Sequence, residues 1–551
     1  MDDIRWRPWE KKTFKLARKE QKPILLEITA KWSHACRIKE ETAYRNSELT
    51  AVINLDFIPI KIDTDERPDI NDRYNSGGWP TTALLRPDGS LIAAGIYTSA
   101  GTMLSCLKKT ERDLNSRAPL APDKIAPAPA GRPEQLTDGP AEYFARLILD
   151  HFDPKHGGFG DGPKFPMIQP LGLALSLAAK GDDRYASVIE TTLTKMSTSE
   201  IFDASAGGFF RYSRNADWSR PQREKLLIDQ AESAILYIDA FSLTGEPLFA
   251  DTANKTLDFL EAIMLKPYGR FCASQASDES HALDKTVLSG WNARACSAFI
   301  KAESVLARPG AADIALRTLN FLFNRMRAGN DLFWHYFDGH KNWCLGLLVD
   351  QINVMTALLD AYEASANAAF IAEAISLAAI MVNWLRDHRS GAFFDRLPGR
   401  EDLGLLGQPY LPIGLNARAA IAYIRLAAIT DKARYEKQAR GALEAFATNY
   451  RGSGLLAADY GQAIRWLLTP NVEVFMIGKR ESVLTSELWK KARSTFHPHK
   501  VLIVNGHRPI RTPPRPAPRL TSPAALVCVG NRCLDPIVSS AELAVRLKEA
   551  A

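Results

Sequence analysis

The side chains of this 551-residue chain that could carry chemistry fall into two groups. One is a single loop, Trp32-Ser33-His34-Ala35-Cys36. Thiol–disulfide turnover needs a thiolate to attack and a second thiol to resolve the mixed disulfide. Ser33 stands where the first cysteine of a Cys-x-x-Cys pair would be, so ordinary dithiol chemistry is excluded from this loop. The other group spans residues 203–350: Asp203, Glu224, Asp229, His335 and Asp350 as catalytic candidates, with Arg211, Tyr212, Lys225, Gln230, Asp278, Trp291 and Asn292 as ligand-binding ones. Such acids suit sugar chemistry, which uses either two carboxylates flanking a glycosidic bond or two proton carriers on opposite faces of an epimerised carbon.

Each candidate has a structural reading beside the chemical one. Acids next to helix starts cap them, Lys225 pairs with a neighbouring carboxylate, and Trp291 is core. Ser33 reads as a helix N-cap and Cys36 as a small buried apolar residue. A lone redox thiol at Cys36 and a His34/Cys36 metal contact are the alternatives, although a metal needs more ligands than this loop offers.

Three kinds of element position these residues. Residues 1–115 alternate helix and strand patterns: a helix from Pro8 to about Glu20, a strand Pro23–Ile28, a helix after Ser33, a helix near Glu48–Leu55, a strand Phe57–Ile62, a short helix around Asp69–Tyr74 and a hairpin across Pro87-Asp88-Gly89. A last helix runs to about Leu114. The order is that of a thioredoxin-like fold, with Trp79-Pro80 where that fold places a cis-proline facing the active loop. Residues 116–140, rich in Pro and Ala, read as a linker.

From 141 to 466 the chain repeats itself. A glycine-aromatic punctuation ends at Phe159, Phe209, Phe271, Phe333, Phe393 and, weakly, Leu455, roughly every 60 residues, enough for two helices each time. Between the marks lie polar turns ending in an aromatic, as at Gly181–Tyr185, Gly245–Phe249 and Asp431–Tyr435. Leu226-Leu227-Ile228-Asp229-Gln230 recurs as Leu347-Leu348-Val349-Asp350-Gln351. An amphipathic hairpin must stack on neighbours to hide its apolar face, so six hairpins predict a closed all-α toroid with acids near hairpin ends at its central cavity. Residues 467–551 change style again, to a small α/β appendage with strands at Val472–Ile477, Val501–Val504 and Ala525–Val529 around a helix near Thr485–Phe496. The Arg/Pro-rich stretch His507–Arg519 reads as a solvated loop.

A net charge of +6 from 69 basic and 63 acidic residues asks for neither nucleic acid nor an anionic membrane. The N-terminal residues lack the order of a signal peptide and no apolar run approaches spanning length, so a cytoplasmic protein is expected. Seven scattered cysteines fit reduced thiols better than a disulfide framework. Cys528-x4-Cys533 reads as structural thiols, with a local disulfide or two metal thiolates as alternatives. Neither a metal nor a cofactor is expected.

Taken together, Asp63–Asp69, Gly77-Gly78-Trp79-Pro80, Gly158-Phe159-Gly160 with Pro163-Lys164-Phe165-Pro166, Phe209–Tyr212, Glu224–Leu227 with Asp229-Gln230, and Trp291-Asn292 resemble the spermatogenesis-associated protein 20 family over nearly the whole chain. The resemblance implies a multidomain protein: a thioredoxin-like domain joined to a six-hairpin (α/α)6 barrel related to N-acylglucosamine 2-epimerases and glycoside-processing enzymes. Against that family's pattern, the paired cysteines become Ser33 and Cys36, and two histidines become Phe210 and Gln222. A segment carried by relatives before Trp291 is nearly absent, leaving only Ser280–Val287.

Three functions fit the sequence. The first is a carbohydrate-directed barrel, binding a sugar or polyol or acting on it with epimerase- or glycosidase-like chemistry, beside a redox-inactive thioredoxin-like module. The second is a non-catalytic scaffold derived from an enzyme. The third is a thiol-dependent redox or chaperone partner of other proteins using Cys36.

Overall fold

The computed structural model describes residues 3–97, 99–115, 135–277, 282–399, 402–479, 482–504, 523–530 and 532–550. Asp278, linker residues 116–134 and the His507–Arg519 loop lie outside the described residues. The chain divides into two units: Met1–Ala128 with Ser274–Asp284 and Asp395–Tyr410, and the remainder.

The first unit follows the expected order: α1 (Lys11–Glu20), β1 (Ile24–Thr29), α2 (His34–Glu41), α3 (Ser47–Asp56), β2 (Ile58–Asp63), α4 (Pro68–Tyr74), β3 (Thr81–Leu85), β4 (Leu91–Gly95) and α5 (Ala100–Asn115). β1 pairs parallel with β2 and antiparallel with β3, giving the strand order β2-β1-β3-β4 of a thioredoxin-like sheet. Both neighbours and covering helices bury every residue of β1, which is why it reads as an apolar run apart from Glu27 and the terminal Thr29. Segment Asp395–Tyr410 lies between two barrel helices in sequence but is built into this unit. Leu405 and Leu406 join the core around Phe14, Ile60 and Tyr74. Arg73 holds Asp395 at 2.6 Å and the carbonyl of Leu405 at 3.0 Å. The Tyr74 hydroxyl donates to Gly89 O and accepts from Leu405 N.

Among its described residues the second unit carries twelve alternating barrel helices. The outer ones are α6 (Gly139–His151), α8 (Asp183–Thr198), α10 (Pro247–Phe259), α12 (Ala311–Phe321), α14 (Ala368–Trp384) and α16 (Ala433–Glu444). The inner ones are α7 (Ile168–Ala178), α9 (Leu227–Thr244), α11 (Ser289–Val305), α13 (Leu348–Ser365), α15 (Ile413–Thr430) and α17 (Ala458–Leu468). Each inner helix packs on the next and α17 packs on α7, so the ring closes as the repeat predicted. Inner-to-outer turns are tight, reversing through left-handed residues at Gly245, Ala366 and Asp431. The aromatics Tyr185, Phe249 and Tyr435, which follow the turns at Gly181, Gly245 and Asp431, are buried.

The punctuation marks are the longer outer-to-inner connections. Asp153, Asp203 and Asp387 accept from Gly157, Gly207 and Gly391, and donate to the carbonyls of Gly158, Gly208 and Ala392. Gly207 is obligatory: it sits at φ 78°, and a Cβ there would lie 2.2 Å from Lys255 O.

The C-terminal part of this unit is a four-stranded sheet, Lys500–Val504, Val472–Ile477, Ala524–Val529 and Arg532–Cys533 in spatial order, with α18 (Val483–Ser494) and α19 (Ser540–Glu549). α19 has no counterpart in the sequence reading. Cys528 and Cys533 face each other across the last strand pair and form a disulfide with S–S 2.01 Å, which corrects the reduced-thiol expectation at this pair. This segment packs on the tight-turn end of the barrel, where Ser242 Oγ donates to Ser494 O at 2.6 Å and Arg493 to Ile300 O at 3.1 Å. Among the described residues no helix is long and apolar enough to cross a membrane.

Candidate functional site

The punctuation loops account first for several candidates. The Gln230 carboxamide accepts from Phe209 N at 2.6 Å and donates to Phe209 O at 2.7 Å. Asn292 grips Phe271, Gln351 grips Phe333 and Asn416 grips Phe393 in the same way. One amide near the start of each of these inner helices therefore locks the preceding connection, a packing task repeated around the ring. Lys225, 2 % exposed, donates to Asp203 at 2.8 Å and to Gly207 O at 2.7 Å, while Asp203 also caps the backbone of Ser205 and Ala206. Burial opposes ionisation of Asp203, but these donors hold its carboxyl well below the usual carboxylate range. Lys164 and Asp153 repeat the arrangement one hairpin earlier. In this geometry Gln230, Asn292, Asp203 and Lys225 hold backbone together. Glu224 is buried.

The remaining candidates stand at the starts of inner helices. Asp229, in the first turn of α9, meets Arg211 at 3.0 Å, and burial pushes its carboxyl up. Asp350, the repeat counterpart in α13, is buried; it accepts from Gly290 N of α11 at 2.9 Å and faces His335 Nδ1 at 2.8 Å. Burial raises the Asp350 carboxyl too, with His335 opposing. Tyr212 stacks on the half-exposed ring of Phe165, centroids 4.7 Å apart, and Trp291 packs on Ala273, Leu288 and Tyr336.

Deeper along the axis lie charges the sequence reading did not single out. Arg294 clasps Glu232 with two parallel bonds of 2.9 and 3.0 Å, and Arg418 bridges Glu232 at 3.0 Å and Asn353 at 2.9 Å. One two-turn step further along the helices, Lys301 holds Asp239 at 2.6 Å, and Arg425 holds Asp360 and Glu363 at 2.8 and 2.9 Å. Burial would raise Glu232, but Arg294 and Arg418 overcome it and bring its carboxyl down to about 2. Asp459 on α17 makes no hydrogen bond to a described residue, and burial takes it up to about 6. The signal was present: 232/239, 294/301, 353/360 and 418/425 are polar pairs seven residues apart on otherwise apolar helices.

In the first unit, Ser33 Oγ caps α2 by accepting from Cys36 N at 3.4 Å, and Cys36 Sγ accepts from Ala30 N at 3.4 Å. Cys36 is 4 % exposed and burial pushes its thiol up. Trp32 lies edge-on to Trp79, centroids 5.6 Å apart, beside the cis Trp79-Pro80 bond, and donates to Asp65 at 2.7 Å. Exposed His34 sits next to them. Beneath the loop Glu27, Lys39 and Thr82 form a buried network. Burial, with Glu66 adding to it against Lys31, raises Asp63 to about 6.

A thioredoxin-like domain, an (α/α)6 barrel and a small α/β segment therefore make up this chain. Residues 1–111 match the family model Thioredox_DsbH, described as a protein of unknown function, DUF255. The chain is 29 % identical to spermatogenesis-associated protein 20 of Homo sapiens over 306 residues, half of this chain and 39 % of that protein. It is likewise 29 % identical to the Mus musculus protein over 307 residues, again 50 % of this chain and 39 % of the relative. The aligned part thus spans well under half the length of these relatives, and the resemblance carried by the sequence motifs is borne out over half of this chain rather than nearly all of it. Among solved structures, a D-mannose isomerase superposes with TM-score 0.51 and 13 % identity, covering 60 % of this chain and 96 % of its own. That likeness is one of fold.

Proposed function

We propose that the axial hollow of the barrel binds a neutral sugar or polyol. One observation carries the reading: Asp229 pairs with Arg211 and Glu232 with Arg294 and Arg418 near the barrel axis, and these five side chains still keep 13 to 27 % of their surface in reach of solvent. With Asp459 the set holds three carboxylates and three guanidinium groups. A wetted polar wall of balanced charge offers donors and acceptors to hydroxyl groups without favouring an ion. Phe165 and Tyr212 supply apolar ring faces in the same unit.

Glu232 and Asp459 give the hollow two carboxyl groups of divergent acidity, about 2 and about 6. Environments that push paired acids apart suit proton transfer, here to or from a hydroxyl or the carbon beside a sugar carbonyl. The first unit, with a buried thiol and no partner cysteine in its loop, joins the barrel as a redox-inactive module.

The test is a thermal-shift panel of neutral monosaccharides, D-mannose included, and short glycans. The reading expects at least one to raise the melting temperature, with the gain lost in Asp229→Ala. Silence across the panel favours the scaffold reading.

A further inference from the structure

The C-terminal segment does more than cover the tight-turn end of the barrel. Between the two lies a cavity of about 330 Å³, walled by α9, α11, α13 and α15 on one side and by residues 493–502 on the other. Its volume is that of a small-molecule site, and such sites favour junctions between separately folded parts.

Its electrostatics differ from those of the neutral hollow above. Asp239 and Lys301 cancel, and Arg425 faces two carboxylates, Asp360 and Glu363. The C-terminal segment then adds Arg493 and Lys500, so the wall carries more cationic than anionic groups. Lys500 donates to two carbonyls, Ala492 O and Thr495 O, and its third ammonium hydrogen meets no acceptor among the described residues. Arg425, 9 % exposed, makes both of its carboxylate bonds through Nη2, leaving Nε and Nη1 without a described acceptor. Donors without a protein partner on cations that line a cavity are met there by water or by an anion.

We propose that this cavity is an oxyanion site, taking a phosphate-class ligand, free or as a monoester, with Arg425 and Lys500 as donors and Arg493 adding charge. Charge-assisted bonds from guanidinium and ammonium groups are the strong ones for such ligands. The ligand would tie the C-terminal segment to the barrel, and the inference stands apart from the sugar reading because its donors are different residues, although Arg294 borders this cavity as well.

Isothermal titration of the full chain with inorganic phosphate, and separately with glucose 6-phosphate, against chloride at equal ionic strength tests it. At least one is expected to bind, with affinity reduced about tenfold or more in Lys500→Met. Arg493→Gln is expected to weaken the same ligand and serves if Lys500→Met does not fold. Circular dichroism establishes the fold of each variant. Absence of binding by both phosphates, or unchanged affinity in a folded variant, overturns the proposal.

Discussion

Arg294 and Glu232 are 62 residues apart and lie in a two-bond clasp, and the same step joins Lys301 to Asp239 and Arg425 to Glu363. For these pairs the repeat period of the sequence is also the pairing step along the axis, linking one inner helix to the next, while Arg418 of α15 reaches Glu232 of α9.

Breaking that clasp has a predictable cost. Glu232→Gln leaves two arginines without their shared carboxylate in a largely enclosed site, and removing one partner of a buried pair costs about 3 kcal/mol. Because the pair keeps some solvent contact, urea unfolding is expected to show a loss of about 1–3 kcal/mol. The double change Glu232→Gln with Arg294→Met is expected to recover part of it.

Asp459 gives a pH signature of opposite sign. Its folded carboxyl stands at about 6, above the ordinary 3.8, so its contribution to stability is full below pH 3.8 and is lost as pH rises through 6. Asp459→Asn is therefore expected to be more stable than the parent at pH 7.5, by about 1–3 kcal/mol, with the gap closing near pH 4. Glu232 runs the other way, its stabilisation falling away as pH drops from 4.5 toward 2. Thermal melts of parent and variant across this range check both signs.

Gln230→Ala removes the lock on Phe209 and leaves a buried N–H and C=O unpaired. A loss of about 2–4 kcal/mol in chemical denaturation is expected. Asn416→Ala, locking Phe393 on the far side of the ring, should behave alike.

Cys36 is expected to resist alkylation. With 4 % exposure and a thiol raised by burial, it should react with iodoacetamide at pH 7.5 about tenfold or more slowly in the native chain than in urea. Mass spectrometry of the Cys36 peptide reads the rate.

What the sequence disclosed follows from where each residue's constraint acts. Backbone needs are local, so the Gly-aromatic marks, the tight turns and the Gln230/Gln351 echo revealed six hairpins. The unit-one strands were legible for the same reason, as short apolar runs between turn signals. The axial charges were not: a polar residue every two turns looks like the solvated side of an amphipathic helix. Only closure of the ring turns that stripe inward, onto partners 62 residues or more away. The assignment of Asp395–Tyr410 to the first unit rests on Arg73 and Tyr74, more than 300 positions away, and no periodicity announces it.

Whether the barrel axis binds sugar is read by saturation-transfer difference NMR on a mixture of neutral mono- and disaccharides. Transfer to at least one sugar is expected with the parent chain, abolished in Asp229→Ala while phosphate has no effect on it. No transfer to any sugar, or equal transfer in the variant, would contradict it.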